Sequence, residues 1–167
     1  MFTGISGGAL MTTISGCKQI LLFKLNDKDF GFDVSCVREI LLPQEIYPVP
    51  KAPGFVEGVI NVRGHMIAVV DLRKKLCLKD VRSYPHMRII ICHVRRFIVG
   101  VLVDGVREVV QASPGGIMPA PGILNIQMDN NAVWGIVRDE QKVVMLLDLE
   151  KIFTNEETQK FSQMKNA

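Results

Sequence analysis

Ile20-Leu21-Leu22-Phe23-Lys24-Leu25-Asn26-Asp27-Lys28-Asp29-Phe30-Gly31-Phe32-Asp33 contains two short apolar runs, Ile20–Leu25 and Phe30–Asp33, around four polar residues. Asn26 to Asp29 have turn chemistry, so the stretch predicts a first β-hairpin. Outward from it the same design repeats. Runs rich in Val, Ile, Leu and Phe alternate with Gly, Pro, Asp and Asn clusters, which is the spacing of an all-β chain. The further strand candidates are Glu39–Leu42, His65–Asp71, Met87–Val94, Phe97–Val103, Val106–Val110, Val133–Val137 and Lys142–Leu147. Ile89-Ile90-Ile91 and Val143-Val144-Met145-Leu146-Leu147 are apolar at every position. A strand presents alternate residues to opposite faces, so such runs predict burial on both faces, as in packed barrels or a thick sandwich.

Between these runs lie segments of other character. Pro43, Pro48, Pro50 and Pro53 predict an extended connector, since each proline lacks a ladder donor and restricts its predecessor. Phe55-Val56-Glu57-Gly58-Val59 reads as a helical turn ending at Gly58. Ser113–Gln127, with three prolines and three glycines, reads as a long connector separating two halves. Thr154-Asn155-Glu156-Glu157 fits a capping box, and Phe161 with Met164 gives the following segment one apolar face. A C-terminal helix over about residues 155–165 is expected. Residues 1–18 read as a flexible leader outside the fold, with Met11 a second candidate start, and 19–167 as the folded unit.

Composition narrows the function. The chain has 167 residues, 48% hydrophobic and 22% charged, which is a globular balance and not that of a disordered chain. A net charge of +3 is too small to sustain strong phosphate-backbone binding by itself. The longest apolar run, Phe97–Val103, falls far short of the roughly 18 residues of a spanning helix, so no membrane insertion is expected. Cys17, Cys36, Cys77 and Cys92 form no Cys-x-x-Cys pair, consistent with reduced cytoplasmic thiols. Ile14-Ser15-Gly16-Cys17 is similar to a lipoprotein cleavage box, but no Lys or Arg precedes it, and its short apolar segment is broken by Thr12 and Thr13.

Catalytic chemistry finds little support. His65, His86 and His93 are scattered, and Cys92-His93 on one strand point to opposite faces, so neither a metal nor another cofactor is expected. There is no Gly-x-Ser-x-Gly elbow and no glycine-rich phosphate loop. Asp71, Asp104 and Asp148 each follow an apolar strand and could converge as an acid–base set, although such positions usually serve turns and caps. Arg73, Lys74, Lys75, Lys79, Arg82, Arg88, Arg95 and Arg96 could form a basic face for single-stranded nucleic acid, but only Tyr84 and Phe97 lie near for stacking. Arg95-Arg96 is placed to tip a tight hairpin. Glu39 and Arg63 either pair or face a partner, an arginine on a rigid scaffold being a favoured interface anchor. Trp134 is a candidate anchor or a core residue.

Several motifs together carry a family pattern: Val37-Arg38-Glu39-Ile40, Pro48-x-Pro50-x-Ala52-Pro53-Gly54-Phe55-Val56-Glu57-Gly58-Val59-Ile60-Asn61-Val62-Arg63-Gly64, Val69-Val70-Asp71-Leu72-Arg73, Gly100 to Val109, Ile117 to Pro121, and Leu146 to Ile152. This pattern resembles the CheW family of bacterial chemotaxis adaptors over nearly everything after about residue 18. The resemblance implies an all-β fold of two interleaved five-stranded SH3-like barrels sharing a core, with short helices and the C-terminal helix. It implies no catalysis. As partners it implies the cytoplasmic tip of transmembrane chemoreceptors and the regulatory domain of the histidine kinase CheA, bound by a cytoplasmic monomer recruited to receptor arrays. By motif position Val37, Glu39, Asn61 and Arg63 are receptor-side candidates, and Gly58 and Gly100 are kinase-binding or groove-shaping. Ala68 departs from the family by replacing a common proline. The rival reading is a small β-barrel binding single-stranded nucleic acid.

Overall fold

The computed structural model describes residues 2–3, 16–78, 85–122 and 132–164. In chain order the strands are β1 (Phe2–Thr3), β2 (Lys18–Leu25), β3 (Lys28–Asp33), β4 (Val37–Leu41), β5 (Val56–Val62), β6 (His65–Asp71), β7 (Arg88–Val94), β8 (Phe97–Val103), β9 (Gly105–Ala112), β10 (Met118–Pro119), β11 (Val133–Asp139) and β12 (Lys142–Leu147). Helix α1 (Leu72–Lys75) follows β6, and α2 (Leu149–Ile152) and α3 (Asn155–Met164) close the described chain. The first sheet runs β1-β9-β2-β3-β12-β11-β10, with five long strands between two-residue edges. The second runs β4-β7-β8-β6-β5. The chain therefore starts in the first sheet, builds all of the second, and returns. Parallel pairings, β3 with β12 and β6 with β8, join segments distant in sequence.

Three apolar clusters account for the runs that are apolar at every position, except at Val143, which is exposed near the start of β12 against the expected burial on both faces. Leu21, Phe23 and Leu25 face a shared core between the sheets, whereas Ile20 and Leu22 face a core on the other side of the first sheet. In the second sheet Ile90 and Cys92 turn to the shared core, and Ile89 and Ile91 to the sheet's own core. Strands β2 and β7 thus each feed two cores in alternation. Phe23, Phe30 and Phe32 are completely buried, with the Phe23 and Phe32 ring centroids 4.4 Å apart.

The hairpins show why their turn residues differ. Asn26 and Asp27, both at positive φ, form a two-residue turn, so Lys28 and Asp29 belong to the strand and not to a four-residue loop. At the β7–β8 turn Arg95 takes φ +56°, a conformation that few non-glycine residues adopt. Its guanidinium donates to the carbonyls of Phe153 (3.1 Å) and Glu150 (2.7 Å), which fixes the turn and caps α2 together. The capping box forms as expected. Glu157 N–H donates to Thr154 Oγ1 (3.2 Å), and Thr154 N–H donates to Glu157 Oε2 (3.1 Å).

Two expectations are corrected. Phe55–Val59 is not a helical turn, because residues from Val56 onward pair with β6 in the antiparallel register Val59↔Ala68 and Ile60↔Ile67. Glycine had suggested a helix end, but Gly58 instead marks a bulge in β5, at φ +147°. A Cβ added there would collide with the Tyr47 carbonyl oxygen, because the proline-rich connector docks on β5 through Tyr47 N–H to Val59 O (2.8 Å) and Val59 N–H to Tyr47 O (2.9 Å). Gly58→Ala is expected to cost at least about 2 kcal/mol, combining backbone strain with overpacking. Urea unfolding measures it, and a loss below about 0.5 kcal/mol would show that the connector moves aside freely. The second correction concerns Ser113–Gln127, whose residues 123–127 lie outside the described chain. It does not separate two halves, since β9 before it and β11 after it belong to the same sheet.

Candidate interaction site

The receptor-side candidates sit on the two edge strands of the second sheet, β4 and β5, and on the hairpin after β5. Arg63 Nη2 lies 2.6 Å from Glu39 Oε1, so one ion pair spans the two edges. The arginine occupies the left-handed region at φ +50°, followed by Gly64 at +85°. Asn61 stabilises this turn by accepting the Gly64 N–H at Oδ1, 2.8 Å away. Glu39, Asn61 and Arg63 are therefore one constructed feature. The Arg63 side chain remains 67% exposed, so its guanidinium presents donors to solvent beyond the one carboxylate contact. Arg38, Glu39, Arg63 and His65 with Ile67 and Ile98 line an open cavity of about 620 Å³, and Ile40 and Leu42 are exposed on and just after β4.

Val37 does not join that group. A bulge between Val37 and Glu39 breaks the alternation of β4, so Val37 packs on the shared core while Leu41 packs on the second sheet's own core. Gly100 is buried in β8, where an added Cβ would lie 3.0 Å from Ile89 Cγ2 and 3.4 Å from Val69 Cγ2. Gly58 and Gly100 both make room for this chain's own atoms. Trp134 is half-buried against the first sheet's core, with the Lys18 ammonium 5.7 Å from its ring centroid. It borders a second cavity of about 450 Å³ that also touches Cys36, His93 and Asp148.

The strand-end aspartates separate by role. Asp71 and Asp104 converge, but on Arg73. Asp71 accepts Arg73 Nε (3.0 Å) and Nη2 (2.9 Å) and the Arg73 backbone N–H (2.9 Å), and Asp104 Oδ1 accepts Nη1 (2.7 Å). Asp104 Oδ2 also accepts the Asn26 N–H of the first hairpin, at 2.6 Å. All three side chains are buried. Burial raises the Asp104 carboxyl above its ordinary value, against the lowering pull of the Asn26 amide and Arg73. Neither carboxylate lines the two cavities above. Asp148 is apart from them and caps α2 by accepting the Glu150 N–H at 3.0 Å. Among the described residues no group of three or more His, Cys, Asp or Glu is placed to hold a metal ion.

The basic residues are largely engaged within the protein. Arg73 is buried between the two aspartates, Lys74 pairs with Glu57, Lys75 pairs with Glu157 at 2.8 Å, and Arg95 binds backbone carbonyls. Lys79 and Arg82 lie outside the described residues. The pairing of Arg73 across to Asp104 escaped sequence reading, and its only local signal was Asp-Leu-Arg at a strand end. No helix among the described residues is long and apolar enough to cross a membrane.

Comparison with known proteins agrees with this architecture. Residues 19–157 match the CheW-like domain. The chain is 31% identical over 143 residues to the "Chemotaxis protein CheW" of Rhizobium meliloti, covering 86% of this chain and 92% of that one. It is 26% identical over 150 residues to the "Chemotaxis protein CheW" of Treponema pallidum, covering 87% and 88%. The crystal structure of the scaffolding protein TtCheW from Thermoanaerobacter tengcongensis superposes with a TM-score of 0.77 at 31% identity, over 84% of this chain and 94% of that one. The expected pair of SH3-like barrels is thereby borne out, each sheet having a core of its own and the shared core lying between the two. This chain belongs to the CheW-like family.

Proposed function

We propose that this chain is a non-enzymatic adaptor coupling transmembrane chemoreceptors to the histidine kinase CheA. Its relatives are named as chemotaxis and scaffolding proteins over nearly their whole lengths. The observation that carries the residue-level reading is the exposed Glu39–Arg63 pair, which spans the two edges of one barrel on a turn held by Asn61. In this reading the receptor's cytoplasmic tip contacts Glu39, Asn61 and Arg63, while Val37 acts from behind by supporting β4. The kinase's regulatory domain docks on barrel ends shaped by Gly58 and Gly100. Residues 19–167 form the functional unit, and the adaptor works as a cytoplasmic monomer within a larger array. Residues 1–18 do not lie wholly outside the fold as expected, since Phe2–Thr3 pairs with β9 and Lys18 opens β2. A receptor conformational change then reaches the kinase as a difference in contacts, with no group transferred. The nucleic-acid reading has no support from the engaged basic residues.

Arg63→Ala provides the test. A surface ion pair is worth about 0–1 kcal/mol, so the variant should fold normally. Losing an arginine anchor should weaken binding to an immobilised receptor tip by about tenfold or more and leave binding to the CheA regulatory domain unchanged. Receptor binding equal to that of the unaltered chain would remove Arg63 from the interface. Failure of the unaltered chain to bind either cognate partner would overturn the adaptor reading.

A further inference from the structure

Cys36 and Cys92 are far apart in sequence but adjacent in the fold. Cys36 closes a 3-10 turn, Val34–Cys36, and its neighbour Val37 lies directly opposite Cys92 in the β4–β7 register. Cα atoms of an opposed pair lie about 4.5–5.5 Å apart and consecutive Cα atoms about 3.8 Å apart, so Cys36 sits one chain step from the residue facing Cys92. A disulfide needs its two Cα atoms within about 7 Å. An extended backbone would point Cys36 away from Cys92, but the turn brings its side chain against the shared core that contains Cys92. The two thiols interact there. Burial first, and then hydrogen bonding with Cys36, push the Cys92 thiol well above its usual value.

Their surroundings differ in the way that sequential thiol chemistry requires. Cys92 is fully buried, and its thiol donates to the Ile90 carbonyl at 3.7 Å. Cys36 is half-buried and opens onto the 450 Å³ cavity beside His93 and Trp134, which gives a small oxidant access. We propose that Cys36 and Cys92 form a peroxide-oxidisable dithiol that closes to a disulfide between the turn before β4 and strand β7. The Cys36 thiolate attacks one oxygen of hydrogen peroxide, the O–O bond breaks, and the departing hydroxide takes up the proton released by Cys36 to leave as water. The product is Cys36 sulfenic acid. The Cys92 sulfur then displaces the sulfenic oxygen, which leaves as a second water carrying the Cys92 proton. In total the two sulfurs lose two electrons and one peroxide gains them. Cys92, buried and protonated, is the second thiol to react and not the first.

The bridge ties the chain immediately before Val37 and Glu39 to the middle of the second sheet. Its effect on receptor coupling rests on the proposed function, whereas the thiol chemistry does not. The test treats the reduced full chain with hydrogen peroxide, alkylates it and maps its peptides without reductant. The expected result is a Cys36 peptide joined to a Cys92 peptide, two hydrogens lighter than the pair and separated again by dithiothreitol. Cys92→Ser should leave Cys36 as a sulfenic acid that dimedone traps, and Cys36→Ser should leave Cys92 unoxidised. Sulfinic acid at Cys36 with Cys92 still alkylated, or linkage of Cys36 to Cys17, Cys77 or another chain, would overturn the proposal. Amide exchange across Val37–Glu39 should slow by about tenfold or more in the oxidised form, and unchanged exchange would show that the bridge restrains nothing.

Discussion

Arg73→Ala is expected to destabilise the protein by about 3–5 kcal/mol, the cost of leaving buried charge without its partner. A domain of this kind has only about 5–15 kcal/mol to lose. Removal leaves the Asp71 and Asp104 carboxyls buried beside each other, with the Asn26 amide as Asp104's remaining hydrogen-bond donor. The pH dependence separates this account from simple loss of packing. Burial already holds Asp104 above its ordinary value of 3.8, while the Asn26 amide and the charge of Arg73 pull it down. A carboxyl raised in the folded state binds its proton more tightly there than in the unfolded chain. Its contribution therefore favours the fold at low pH and is lost as pH rises from the unfolded value through the folded one. Without Arg73 that rise grows, so the deficit relative to the unaltered protein should be largest at neutral pH and shrink on acidification. Urea unfolding at pH 7 and again near pH 4.5 measures both chains. An equal deficit at the two pH values would mean that water reaches the carboxylates in the variant and keeps them ionised.

The same triad marks where sequence reading stops. Local patterns predicted the strands well because burial on two faces writes itself into consecutive residues, as in Ile89-Ile90-Ile91 with its alternating destinations. Turn chemistry at Asn26-Asp27 and the Thr154–Glu157 capping box were equally local. Gly58 misled because a glycine at a helix end and a glycine in a strand bulge look alike until the partner strand and the Tyr47 carbonyl are in place. Asp71 and Asp104 were visible as strand-end acids, but their meeting at Arg73 depends on how β6 and the β8–β9 corner are brought together. For the site, Glu39 and Arg63 were legible as a charged pair, and the family motifs singled out the same residues. Only the structure shows that Val37 faces elsewhere, since a one-residue bulge reverses the alternation that a strand pattern assumes. The Cys36–Cys92 neighbourhood was hidden for the same reason, a 3-10 turn redirecting a side chain at the end of a strand.

Phe23→Ala should cost about 3–5 kcal/mol, the usual range for opening a cavity in place of a buried phenylalanine, and should do so without splitting the unfolding transition. Phe23 is fully buried, with its ring centroid 6.1 Å from that of Phe30 and 4.4 Å from that of Phe32. Those three rings belong to the first sheet, yet the cluster they occupy includes Val70, Ile90 and Val101 of the second. The chain also closes back on itself. After β12 completes the first sheet, Phe153 and Phe161 add to the same shared core, and α3 packs on β6 and β8 of the second. Neither barrel can then unfold while keeping its apolar surface covered, so the variant should show one urea transition at lower denaturant with an unchanged slope. Tryptophan emission from Trp134 in the first sheet and amide exchange in β7 of the second provide a separate probe for each barrel. Midpoints that diverge would show two independently stable units. The distinction bears on the adaptor reading, because two barrels joined only by linkers can hold two partners at once but cannot pass a change at one to the other. Coupling requires the bound surfaces to keep a defined relation, and here an uninterrupted apolar core supplies it.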